Sequence, residues 1–122
     1  MKHAIDWFDI PVQNMERAMA FYSAVYDAPV MQIDMGGQLY AMLPGDPMNP
    51  DFVGGGLMEG TPSKDGVRVY LNGGDDLQHA LDRAVKAGAT VILPKTLITE
   101  ENGYMAIFED TEGNAIGLHS RT

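Results

Sequence analysis

The strongest constraint on this chain is a repeated order of elements. Residues 3–12 (HAIDWFDIPV) alternate, with Phe8, Ile10 and Val12 on one face and Ile5, Trp7 and Asp9 on the other. That is a strand pattern. Asn14 is placed to cap a following helix whose apolar positions are Met15, Ala18, Met19, Tyr22 and Val25. Strands over VMQI, GGQLYAML and VGGGLME follow, the last two separated by the loop PGDPMNPD. The same order then returns: VRVYL as a strand, a helix capped by Asp75 or Asp76 with Leu77, Ala80, Leu81, Ala84 and Val85 on one face, a stop at Gly88, and strands over TVILP, GYMAIFE and NAIGLHS. Ile10 to Leu71 is 61 positions, Met19 to Leu81 is 62, and Leu57 to Leu118 is again 61.

Two copies do not make a solenoid. They predict an α+β fold of paired βαβββ modules, about 1–60 and 66–122, forming one domain over 1–122. Each helix covers one face of a small mixed sheet, and the opposite faces need a cover. Two curved mixed sheets enclosing a cleft satisfy that need. Parity directs Trp7 and Asp9 toward the cleft, and Ala115, Gly117 and His119 likewise at the other end. A homodimer is expected from modules of this size sharing such a cleft.

Charge and composition narrow the partners. With 17 acidic and eight basic residues, the formal charge is -9. Phosphate backbones require clustered Lys and Arg, so nucleic acid is not an expected partner. Apolar runs are far too short for a membrane span. HAIDWFDI carries charges and has no small-residue cleavage site, so no signal peptide is read there. No cysteine is present, which removes disulfides, thiolate ligands and thiol nucleophiles, and a cytoplasmic location is expected.

WFDIPVQNMERAMAFYSAVYDAPV and FEDTEGNAIGLHS resemble the opening and closing signatures of the vicinal oxygen chelate superfamily, which includes glyoxalases, bleomycin-resistance proteins, fosfomycin-resistance enzymes and extradiol dioxygenases. The resemblance spans nearly the whole chain and implies paired βαβββ modules, with homodimers usual among small members. It also implies, for metal-using members, a divalent ion held by His or Glu on cleft-facing strands. The matching positions here are Trp7, Arg68, Met58 and Gly117, none of which is a hard-metal ligand. The expected metal set is therefore empty and no cofactor is expected, with a divalent ion as the alternative. Of the three histidines, His79 falls on the solvent side of its helix, His3 lies near the start, and His119 shares a face with Gly117.

The ligand-binding residues expected from this reading are Trp7, Asp9, Met42, Met58, Arg68, Tyr70, Tyr104 and His119. Trp7 offers a stacking surface, and the methionines suit an adaptable apolar lining. Asp9, Glu59, Arg68, Tyr70, Glu109 and His119 are the groups that would orient a ligand. No nucleophile–base spacing is visible, and GGG at 54–56 lacks the helix a phosphate loop needs, so a bulge or close strand approach is expected there. The expected function is binding of a small organic molecule without the usual metal. The alternative is a glyoxalase-like metal-dependent lyase or isomerase, or a dioxygenase, using other ligands. Whether the chain is an enzyme stays open at this point.

Overall fold

The computed structural model describes residues 3–122, in two compact units, Met1–Pro62 and Ser63–Thr122. The first holds β1 (Trp7–Val12), α1 (Met15–Tyr26), β2 (Met31–Met35), β3 (Gln38–Met42) and β4 (Gly54–Glu59). Its sheet runs β1-β4-β3-β2, with β1 parallel to β4 and the other neighbours antiparallel. The second repeats the plan with β5 (Tyr70–Asn72), α2 (Leu77–Lys86), β6 (Thr90–Thr99), β7 (Gly103–Glu109) and β8 (Ala115–Ser120) in the order β5-β8-β7-β6. The fold is thus α+β, with two mixed four-stranded sheets and two helices. Among the described residues, no helix is long and apolar enough to cross a membrane.

The repeat has a direct structural meaning. Ile10 pairs with Leu57 across β1 and β4, and Leu71 pairs with Leu118 across β5 and β8. The 61-residue offset therefore maps one parallel pair onto the other. All four side chains are buried on the helix side of their sheets, where α1 packs on β3 and β4 and α2 on β6, β7 and β8.

Local chemistry sets the helix limits. The Asn14 side chain accepts a hydrogen bond from Arg17 N at 3.0 Å, satisfying one orphan donor of the first turn. At the far end Asp27 turns left-handed (φ 51°), and its N–H bonds Ala24 O. In the second unit the N-cap is Asp76, whose Oδ1 accepts from Gln78 N at 2.9 Å. Lys95 Nζ lies 2.8 Å from the same oxygen and holds the carboxyl below its usual range, with the Gln78 amide adding to the effect.

Four expectations shift. Strand β1 begins at Trp7 rather than residue 3, because its partner row begins at Gly54 and residues 3–6 have no ladder to join. Strand β5 is confined to Tyr70–Asn72, and Val67 is almost fully exposed. On α1, Phe21 is buried and Met19 only half so; the two flank the Met15–Ala18–Tyr22–Val25 stripe on opposite edges. The larger ring is taken in, edge-on to Tyr22 at 4.9 Å. On α2, Val85 sits at the rim of its stripe and is 47% exposed.

Candidate functional site

The face of the first sheet opposite α1 gathers Trp7 and Asp9 from β1, Ile33 from β2, Gln38, Tyr40 and Met42 from β3, and Met58 from β4. Together they line a cavity of about 300 Å³. Strand register explains the set. Tyr40 pairs with both Ile33 and Met58, while Met42 pairs with Gly56, so alternate residues of neighbouring strands share this face.

A chain of hydrogen bonds crosses the cavity floor. Trp7 Nε1–H donates to the Tyr40 hydroxyl at 2.6 Å, and that hydroxyl donates to Asp9 Oδ1 at 2.7 Å. Tyr40 is only 6% exposed, whereas Trp7 is 38% exposed. Phe52 lies at the side of the Trp7 ring, with centroids 6.1 Å apart and planes tilted by 58°. Burial pushes the Tyr40 phenol up to about 12, and its bond to Asp9 acts in the same direction, while donation from Trp7 opposes both. Tyr40 is therefore a neutral donor to Asp9 at ordinary pH, not a base.

The glycine run at 54–56 makes this arrangement possible. A Cβ on Gly56 would collide with the Tyr40 hydroxyl and ring, one on Gly55 with the Phe8 ring, and one on Gly54 with Phe52 and Trp7. The β1–β4 register is unbroken from Trp7↔Gly54 to Val12↔Glu59, so the glycines seat aromatic rings and form no bulge. Gly117 does the same in the second unit. It pairs with Tyr70, whose ring occupies the space a Cβ would need.

The EDTEGN stretch is a buried structural turn. Asp110 Oδ1 accepts from Glu112 N at 2.9 Å and Asn114 N at 2.8 Å, and Gly113 supplies φ +100°. Asn114 Oδ1 in turn accepts from Ser63 N at 3.1 Å. The paired modules, this turn and the open-faced sheet coincide with a sequence match. The model of the Glyoxalase/Bleomycin resistance protein/Dioxygenase superfamily fits residues 4–118. The chain belongs to that superfamily.

No curated protein sequence matches the chain. Among solved structures, it is similar to an antibiotic-binding protein, TnmS3, from Streptomyces sp. CB03234, at a TM-score of 0.71 and 22% identity over 100% of this chain and 98% of that one. A glyoxalase/bleomycin resistance protein from the same organism gives 0.64 and 24% over 96% and 100%. The fosfomycin resistance protein FosX from Listeria monocytogenes, complexed with Mn(II) and sulfate, gives 0.69 and 14% over 100% and 93%.

The superfamily's metal chemistry finds no donor set here. Among the described residues no group of three or more His, Asp or Glu side chains is placed to hold an ion. At the positions the family resemblance assigns to ligands stand Trp7, Arg68, Met58 and Gly117, and Trp7 is bonded to Tyr40 while Tyr70 covers Gly117. His119 Nε2 lies 2.6 Å from Asn102 O, so that nitrogen carries a proton and donates. These residues do not fit a resident divalent ion.

Of the expected ligand-binding residues, Trp7, Asp9, Met42 and Met58 come together at the cavity. In the second unit, Tyr70 and His119 stand on the face opposite α2, Tyr70 half-exposed, and Arg68 is exposed before β5. Tyr104 does not join them. It pairs with Ser120, whose hydroxyl accepts from Leu77 N, so it lies on the helix side, its ring 4.5 Å from Lys95 Nζ. Glu59 is exposed at the end of β4, and Glu109 pairs with Lys64 at 2.9 Å. His79 is exposed on α2. Sequence reasoning missed Tyr40, Ile33 and Gln38. The available signal for Tyr40 was its parity with Met42.

Proposed function

We propose that this chain binds a small organic molecule on the open face of its first sheet, in the cytoplasm and without a resident metal. The observation that carries this reading is the Trp7–Tyr40–Asp9 hydrogen-bond chain set beside the apolar lining of Ile33, Met42 and Met58. A rigid aromatic surface, soft thioether walls and a few fixed polar groups are what small-molecule sites use. The TnmS3 neighbour, an antibiotic-binding protein, supports a binding role. The lining offers stacking, thioether and hydrogen-bond contacts, and in this reading the binding itself is the activity.

Arg68, Tyr70 and His119 offer a second group of polar and aromatic contacts on the other unit. The protein acts as a homodimer in this reading, and light scattering at micromolar concentration should return twice the chain mass of 13.3 kDa. A monomer there would overturn that part.

Calorimetry with naphthylmethanol, a flat neutral probe, tests the site. Binding is expected, and Trp7→Ala should weaken it about ten-fold or more, as loss of an aromatic anchor does. Unchanged affinity would return Trp7 to a purely structural role. Metal analysis of the purified protein tests the other half. Stoichiometric zinc, nickel, manganese or iron that disappears in His119→Ala would contradict the metal-free reading and favour a glyoxalase-like lyase, isomerase or dioxygenase.

A further inference from the structure

The same cavity carries a charge preference. Among the described residues that line it, Asp9 is the one charged side chain, and no Lys, Arg or His is present to meet an anion. Its Oδ1 is occupied by the Tyr40 hydroxyl, so the carboxylate is held in one orientation while Oδ2 stays open to a ligand donor. Tyr40 is itself fixed from behind by Trp7 Nε1, and the absence of a Cβ at Gly56 lets it lie there. Stacking surface and carboxylate are thereby locked together through a single hydroxyl.

We propose that the ligand is a flat, apolar molecule bearing a protonated nitrogen, with the ring system against Trp7 and the nitrogen on Asp9 Oδ2. This rests on the binding role argued above and specifies its chemistry. Asp9 is exposed, and its carboxylate attracts a cation and repels an anion with the modest, salt-sensitive strength of a surface charge. The net charge of -9 adds long-range steering in the same sense. A phosphonate or other small anion finds no cationic side chain among the described lining residues. Tyr40 is a positioning residue in this scheme: it touches Asp9 and Trp7, and they touch the ligand.

Three probes sharing one ring system separate the possibilities: naphthylmethylammonium, naphthylmethanol and naphthoate, titrated by calorimetry. The chain has one tryptophan, so the Trp7 indole N–H resonance reports occupancy of this face without ambiguity. The amine should bind about ten-fold more tightly than the alcohol, the scale of one charge-assisted hydrogen bond, and naphthoate more weakly than either. Asp9→Asn should abolish the preference, so that amine and alcohol bind the variant with equal affinity. Because that substitution keeps the acceptor for Tyr40, a thermal melt close to wild type should show the fold intact. Tyr40→Phe should reduce the amine preference while the Asp9 carboxylate remains.

Equal binding of amine and alcohol, or a preference for naphthoate, overturns the charge assignment and leaves the site standing. An amine preference that survives Asp9→Asn places the recognition elsewhere and also overturns it. Failure of all three probes to bind, with the indole resonance unmoved, removes the site and this inference together.

Discussion

Tyr40 is the residue on which the candidate site turns. It is the middle member of a three-residue hydrogen-bond chain and the side chain that Gly56 makes room for. Gly56→Ala forces a methyl group into the phenol, a small-to-large change in a packed place, and should cost about 1–3 kcal/mol. Urea unfolding measures that loss, and the Trp7 indole resonance should shift in the same variant as its acceptor is displaced. The phenol also makes a pH prediction. Its value rises from 10.0 to about 12 on folding. Below pH 10 the proton is on in both states; between pH 10 and 12 the unfolded chain sheds it first, so stability falls as pH rises through that window. Tyr40→Phe should lose less stability than wild type over that range. Tyr26, pushed up by burial, acts in the same sense in both proteins and cancels from the difference.

Residue-scale legibility was uneven for physical reasons. Strand parity alone identified Trp7 and Asp9, because a period of two leaves only two faces. The same rule had no purchase on Tyr104, since a one-residue uncertainty in β7 register flips the face. The Gly117 position was visible as an anomaly, but its cause, the Tyr70 ring lying across it, depends on a partner 47 residues away. Three consecutive glycines read in one dimension as a bulge or a close strand approach. In three dimensions they are seats for Phe52, Trp7, Phe8 and Tyr40.

At the scale of elements, the caps and turns are where local chemistry decided most. Asn14 heads α1 as its side chain demands, and Gly36 and Gly37, at φ +66° and +89°, turn β2 into β3. Asn14→Ala should lower stability by about 1 kcal/mol, seen as a lower urea midpoint with an unchanged slope. An unchanged midpoint would mean that tertiary packing alone fixes the start of α1. Strand β6 obeyed no simple pattern: three register shifts against β7 and Pro94 interrupt it, and Val91, Ile92, Leu97 and Ile98 are exposed. Pro and bulges on an edge strand blunt pairing with another chain. Pro94→Val should therefore increase aggregation on concentration, which light scattering of the two proteins side by side would register.

For the molecule as a whole, the repeat carried the architecture. Two copies of one βαβββ plan, offset by 61 positions, yield two four-stranded mixed sheets with equivalent strand orders. Function was less legible because the two copies have diverged at the positions that matter. Asp9 in the first unit corresponds to Tyr70 in the second, and Trp7 corresponds to Arg68. Membership of the superfamily fixes the fold, while the residues on the sheet face determine what that fold can hold. Here they combine an aromatic surface, thioethers and one carboxylate.

The central claim is that the face bearing Trp7, Asp9, Tyr40, Met42 and Met58 is the binding surface. The most direct measurement follows the methionine methyl and Trp7 indole resonances while naphthylmethylammonium is added. The claim predicts that Met42, Met58 and Trp7 shift together and saturate with one affinity, while Met48, which is 87% exposed and lies outside this cavity, stays still. Saturable shifts confined to other methionines, with Trp7 unmoved, would contradict it.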